Sequence, residues 1–167
     1  AILLRRSKSG LKRRNGRYGT FARDMRAYTS DQFVLPLPEG HRFPMPKFAR
    51  LLACLRETGL LQPIQEFVPE PAPRPWLELA HAPSYVAGVL EQRLDAAAIR
   101  RLGLPLSPTL ALRSRCAVAG TVLTARLALE HGIACNTAGG SHHAFEGHGA
   151  GFCVFNDVAV AARLLLA

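Results

Sequence analysis

"IACNTAGGSHHAFEGHGAGFCVFNDVAVAARLLLA", Ile133 to Ala167, runs from a short apolar stretch through a glycine-rich loop into an apolar helix. Ile133 to Thr137 reads as a buried strand and 138–152 as the loop that leaves it. The predicted helix from Phe155 carries Val158, Ala161, Ala162 and Leu165 on one face and Phe155, Ala159 and Leu166 on another. A helix apolar on several faces belongs between layers of a core. Upstream, Ser107 and Pro108 form an N-cap and first-turn pair. Apolar residues then recur at a 3.6 period through Leu129 before Gly132 ends the helix. With further strand candidates at Arg26 to Ser30 and Ile64 to Val68, the order of elements predicts an α/β fold: a parallel sheet flanked by helices.

Further out, "FVLPLPEGHRFPMPK" holds four prolines and must be an extended loop. From Pro46, residues Phe48, Leu51, Leu52 and Leu55 recur at helical spacing, with Gly59 as the stop. "WLELAH" leads to a loop that ends at Pro83, and Tyr85, Val86, Val89 and Leu90 mark a short helix. Residues 95–106 read as a basic helix fragment and loop.

A chain of 167 residues, 49% hydrophobic and 7% aromatic, has the composition of one soluble domain. Its net charge of +9 is uneven: residues 1–24 carry +7 and the rest only +2. Residues 1–24 are read as a disordered basic arm or a misplaced gene start, with Met25 where that composition stops, and 25–167 as the folded part. The near-neutral body makes nucleic acid an unexpected partner. Four scattered cysteines without a C-x-x-C pair argue against a disulfide scaffold or a zinc knuckle. No signal peptide or apolar membrane span is evident, so the expected location is cytoplasmic.

In a parallel α/β sheet, sites lie beyond the carboxyl ends of the strands, which is where the loop 138–152 begins. His41, His81, His131 and His148 are read as satisfied core or surface residues. His142 and His143 differ: adjacent side chains reach one cavity only if the backbone twists, which Gly139, Gly140 and Ala144 permit. The loop fails the nucleotide fingerprint G-x-G-x-x-G, because Phe152 stands where the third glycine belongs. It also fails the hydrolase elbow G-x-S-x-G, because His143 occupies the last position. A metal hydrolase remains. There one imidazole takes a proton from metal-bound water while the other stabilises charge or returns a proton to the leaving amine.

"GGSHHAFEGHGAGFCVFNDVAVAA" resembles the His-His and Gly-Phe-Cys motifs of the zinc-dependent histone deacetylase superfamily. "YTSDQFVLPLPEGHRFPMPKF" is similar to the amino-terminal strand and first loop of bacterial members, so the likeness covers about residues 25–167. It implies an arginase/deacetylase-like fold, a catalytic zinc, and hydrolysis of the amide of an acetylated lysine in a protein or of a small acyl amine such as an acetylpolyamine. It assigns His143 as general base and His142 as the assisting electrostatic or acid group. Gly151 becomes the glycine whose carbonyl receives the substrate amide, and Phe152 a wall of the acyl-lysine channel.

The family holds its zinc with an Asp-x-His on the next strand and a later Asp, and uses a Tyr later still. These have no counterpart before Ala167. The resemblance therefore implies an amino-terminal fragment, truncated before the metal-ligand strand: zinc belongs to the intact parent, no metal ligand lies in this chain, and the chain alone is expected to be inactive. The alternative is a binding fragment without catalysis, whose basic arm contacts nucleic acid or an acidic partner.

Overall fold

The computed structural model describes residues 27–28, 34–60 and 66–167. The basic arm and parts of the first two strand candidates lie outside the described residues. In chain order the elements are β1 (Ala27–Tyr28), α1 (Lys47–Glu57), β2 (Glu66–Phe67), α2 (Arg74–Leu77) and α3 (Pro83–Leu90). They continue with α4 (Ala96–Leu102), α5 (Pro108–His131), β3 (Cys135–Asn136) and α6 (Asp157–Leu166). The described strands pair in the order β2-β1-β3, all parallel, with Ala27 opposite Glu66 and Cys135, and Tyr28 opposite Phe67 and Asn136. β3 is shorter than the run Ile133 to Thr137. Gly132 at φ 92 turns the chain out of α5, and the half-exposed Ile133 lies outside the ladder.

The long helix α5 is the spine. Ser107 Oγ accepts from the Leu110 amide at 3.1 Å, Pro108 occupies the first turn, and the Gly132 amide closes on the Ala128 carbonyl at 2.8 Å. These are the start and stop that the sequence predicts. Leu110, Ala111, Cys116, Val118, Ala119 and Val122 are buried, which spreads the buried surface over more than one face of the helix. Each large aliphatic side chain so buried contributes about 1.5–3 kcal/mol. Val86 and Val89 of α3, Leu77 of α2, and Val160 and Ala161 of α6 share that core. No helix among the described residues is long and apolar enough to cross a membrane.

Two local features add to or differ from the sequence reading. "WLELAH" leads into a loop that ends at Pro83 as expected, but Trp76 and Leu77 at its start close the single helical turn of α2. Pro73 is extended and Pro75 sits in the first turn, where a missing N–H breaks nothing, and Arg74 Nε donates to Glu78 Oε1 at 2.6 Å. The buried face of α6 is also a different one. It consists of Asp157, Val160 and Ala161 with Leu164 half-buried, an i, i+3, i+4, i+7 stripe, whereas Val158, Leu165 and Leu166 are exposed. A search for apolar periodicity alone passes over that stripe because it begins with a carboxylate.

Candidate active-site loop

The loop from β3 to α6 leaves the sheet beside α5 and is tied down along its length. Asn136, the last residue of β3, donates through Nδ2 to Thr121 Oγ1 at 3.1 Å and accepts from the Ala138 amide at 3.0 Å. Gly139 then crosses so close to α5 that a Cβ there would collide with the Thr121 hydroxyl and the Asn136 amide. Only glycine fits such an approach. The Gly140 amide donates to Asp157 Oδ2 at 3.1 Å.

These ties bring the two histidines together. The rings of His142 and His143 lie 4.4 Å apart at an interplanar angle of 32°, and both residues are exposed. The backbone twist that adjacent side chains require is therefore present. His142 Nδ1 is 3.2 Å from the Gly140 carbonyl, so it carries the proton and donates, leaving Nε2 free.

Behind the pair stands the start of α6. Asn156 caps the helix by accepting from the Ala159 amide at 3.0 Å, and its Nδ2 donates to the carbonyls of His142 at 3.3 Å and Ala144 at 3.2 Å. His81, 2% exposed, joins the middle of the loop to the start of α6: Nδ1 donates to the Phe145 carbonyl at 2.9 Å and Nε2 accepts from the Asn156 amide at 2.9 Å. That arrangement demands a neutral ring. Burial accordingly pulls the His81 pKa below its ordinary value, partly offset by the Phe145 carbonyl and Glu146.

Asp157 is fully buried at the other end of the same cap. Desolvation raises its pKa to about 6 against the favourable amides of Ser141 and Gly140, and its Oδ1 has no hydrogen-bond partner. It borders a cavity of about 120 Å³ beneath the loop, which Arg113 and Ser141 also line. Burial likewise raises the Cys153 thiol, which donates to the Phe155 carbonyl at 3.2 Å. An inert thiol, not a nucleophile, is the result.

Gly151 and Phe152 form a tight turn, bracketed by the Ala150 and Cys153 amides, which bond to each other's carbonyls at 3.1 and 2.9 Å. Both have positive φ, 56° and 66°; for Phe152 this is a strained conformation that its packing must hold in place. The Phe152 amide donates to the Leu102 carbonyl at 2.9 Å, and the ring meets His41 and Phe43 at centroid distances of 5.8 and 5.5 Å. Its edge rests on Gly103, the left-handed C-cap of α4 at φ 79, where a Cβ would stand 2.9 Å from the ring. The four residues singled out by sequence thus share one loop. His81, Asn156, Asp157 and Gly103, which hold that loop in shape, were not singled out; the cap signal of Asn156 was passed over because the helix was expected to start at Phe155, whereas α6 starts at Asp157.

Among the described residues, no three His, Cys, Asp or Glu side chains are grouped as a metal ion needs. The described residues do not by themselves fit a catalytic zinc, which generally takes three protein ligands.

The sequence profile of the histone deacetylase domain matches residues 41–167. An uncharacterised protein of Picosynechococcus is 54% identical over 133 residues, which cover 80% of this chain and 44% of that protein. Histone deacetylase 3 of Oryza sativa subsp. japonica is 33% identical over 141 residues, covering 77% of this chain and 28% of the rice protein. Among solved structures, a histone deacetylase homologue from Aquifex aeolicus superposes with a TM-score of 0.73 at 25% identity, covering 85% of this chain and 41% of that one. The chain thus spans less than half the length of these relatives. The parallel strands packed on α5, the paired histidines and the matched profile lead to one statement: the chain belongs to the histone deacetylase family.

Proposed function

We propose that the whole protein hydrolyses the amide of an acylated lysine or a related small acyl amine, and that this chain contributes the proton-handling pair and one side of the acyl channel. The observation that carries the reading is the close pair His142 and His143, held by Asn156, Asp157 and His81 beside the Gly151–Phe152 turn. Water attacks an amide efficiently only if a base accepts its proton as the new bond forms, and that role is assigned to His143. His142, with Nδ1 committed to Gly140, presents only Nε2, suited to stabilising charge or returning a proton to the departing amine. The Gly151 carbonyl would receive the substrate N–H, and the Phe152 ring would flank the lysine stem. Zinc, implied by the family resemblance, is assigned to side chains other than those described, and no step is derived through it.

The test is steady-state hydrolysis of an acetyl-lysine peptide by the whole gene product and its His143→Ala variant. A general base acts in the transition state, so kcat should fall about 10²-fold or more with little change in KM. Near-normal turnover by the variant would remove the assignment.

A further inference from the structure

The Gly151–Phe152 turn forms one wall of an open groove of about 480 Å³, and the charge of its other wall bears on the substrate. That wall comprises Gly40 to Arg42 and the last turn of α4, so Arg42, Arg100 and Arg101 all line the groove and no carboxylate does. All three arginines are exposed, and among the described residues none is paired with a carboxylate. A cation at the end of α4 would be favoured by the helix dipole alone, but that does not account for Arg42, which arrives from a separate loop.

The walls are also fixed to each other. His41 Nε2 lies 3.1 Å from the Gly103 carbonyl, the Phe43 amide donates to His41 Nδ1 at 3.0 Å, and the Phe152 amide donates to the Leu102 carbonyl at 2.9 Å. The guanidinium groups therefore project from a braced frame beside the turn assigned to the acyl channel. A cleft lined by one sign of charge attracts the opposite sign and rejects its own.

We propose that this groove selects acyl-lysine substrates carrying carboxylates next to the acylated residue, and disfavours those flanked by lysine or arginine. Arg42, Arg100 and Arg101 are then specificity-determining residues. The inference rests on the function proposed above and narrows its substrate class. The carboxylate has two possible sources, neighbouring Asp or Glu side chains or the free α-carboxylate of a terminal acyl-lysine, and the chemistry of recognition is the same.

The test compares kcat/KM of the zinc-loaded whole gene product on acetyl-lysine peptides flanked by Asp and by Lys, each with a free or an amidated terminus. At low salt the Asp peptide should be preferred about tenfold, mainly through KM, and the preference should shrink as salt rises. A gain confined to the free terminus would identify the α-carboxylate as the source; a gain in the amidated Asp peptide would identify the flanking side chains. Charge reversal at two exposed positions, Arg100→Glu with Arg101→Glu, should invert the ratio, and the corresponding lysine variants should keep it. A wild-type ratio near one, or a ratio unmoved by charge reversal, overturns the proposal while leaving deacetylation standing. If no peptide is hydrolysed, the function proposed above fails, and salt-dependent binding of the same labelled peptides, measured by anisotropy, decides the groove's preference separately.

Discussion

Replacing His81 by Phe should loosen the histidine loop while leaving the core packed. The phenyl ring can keep the contacts that the imidazole makes with Tyr85 and Phe155, at centroid distances of 5.7 and 5.4 Å. Both hydrogen bonds vanish: the Phe145 carbonyl loses its donor and the Asn156 amide its acceptor. Two bonds contribute about 1 kcal/mol each, and a buried amide left without a partner costs about 1–3 kcal/mol, with some overlap between these terms, so the expected destabilisation is about 2–4 kcal/mol. Urea unfolding at pH 7.5 measures it, and amide exchange of residues 142–145 should accelerate more than that of α5. The pH dependence supplies a second check. The His81 pKa is lowered in the folded protein, so its stabilisation is complete above the ordinary value of 6.5 and is lost as pH falls below it toward the folded value. The gap between wild type and His81→Phe should therefore narrow below that pH. A loss under about 1 kcal/mol, with exchange of the loop unchanged, would refute the positioning role.

Asp157→Asn should stabilise the fold at neutral pH. The Asp157 pKa is raised to about 6 from 3.8, so the cost of its buried charge is absent below the lower value and grows as pH rises through the upper one. That difference corresponds to about 3 kcal/mol at pH 7 as an upper figure, and a denaturation midpoint no higher at pH 8 than wild type would contradict it. Gly103→Ala places a Cβ against the Phe152 ring at a left-handed position and should cost about 1–3 kcal/mol. It should also raise KM for acetyl-lysine substrates more than it lowers kcat; an unchanged KM would detach Phe152 from the channel.

The ends of α5 were legible from Ser107, Pro108 and Gly132 because caps are local chemistry, carried by a few adjacent residues. The family, too, could be read from the motif between Gly139 and Asp157. The convergence of the two imidazoles could not be, because it depends on Asn156 and Asp157 far along the chain and on His81 farther back. The same holds for α6, whose buried stripe is anchored by a carboxylate that the loop amides of Gly140 and Ser141 explain. A single turn such as α2 has too few residues to show a period, and its two prolines read more readily as loop.

The bond from His81 to Asn156 joins residues 75 positions apart in sequence. Closing a loop of that length costs about 4 kcal/mol of chain entropy before the contact returns anything. The imidazole pair is consequently expected to form late, which pulsed amide exchange during refolding would check: α5 needs only local contacts, while the observed loop shape needs the α2–α3 junction docked on the start of α6. During synthesis, a ribosome must have released everything through Asn156 before His81 can find its partner.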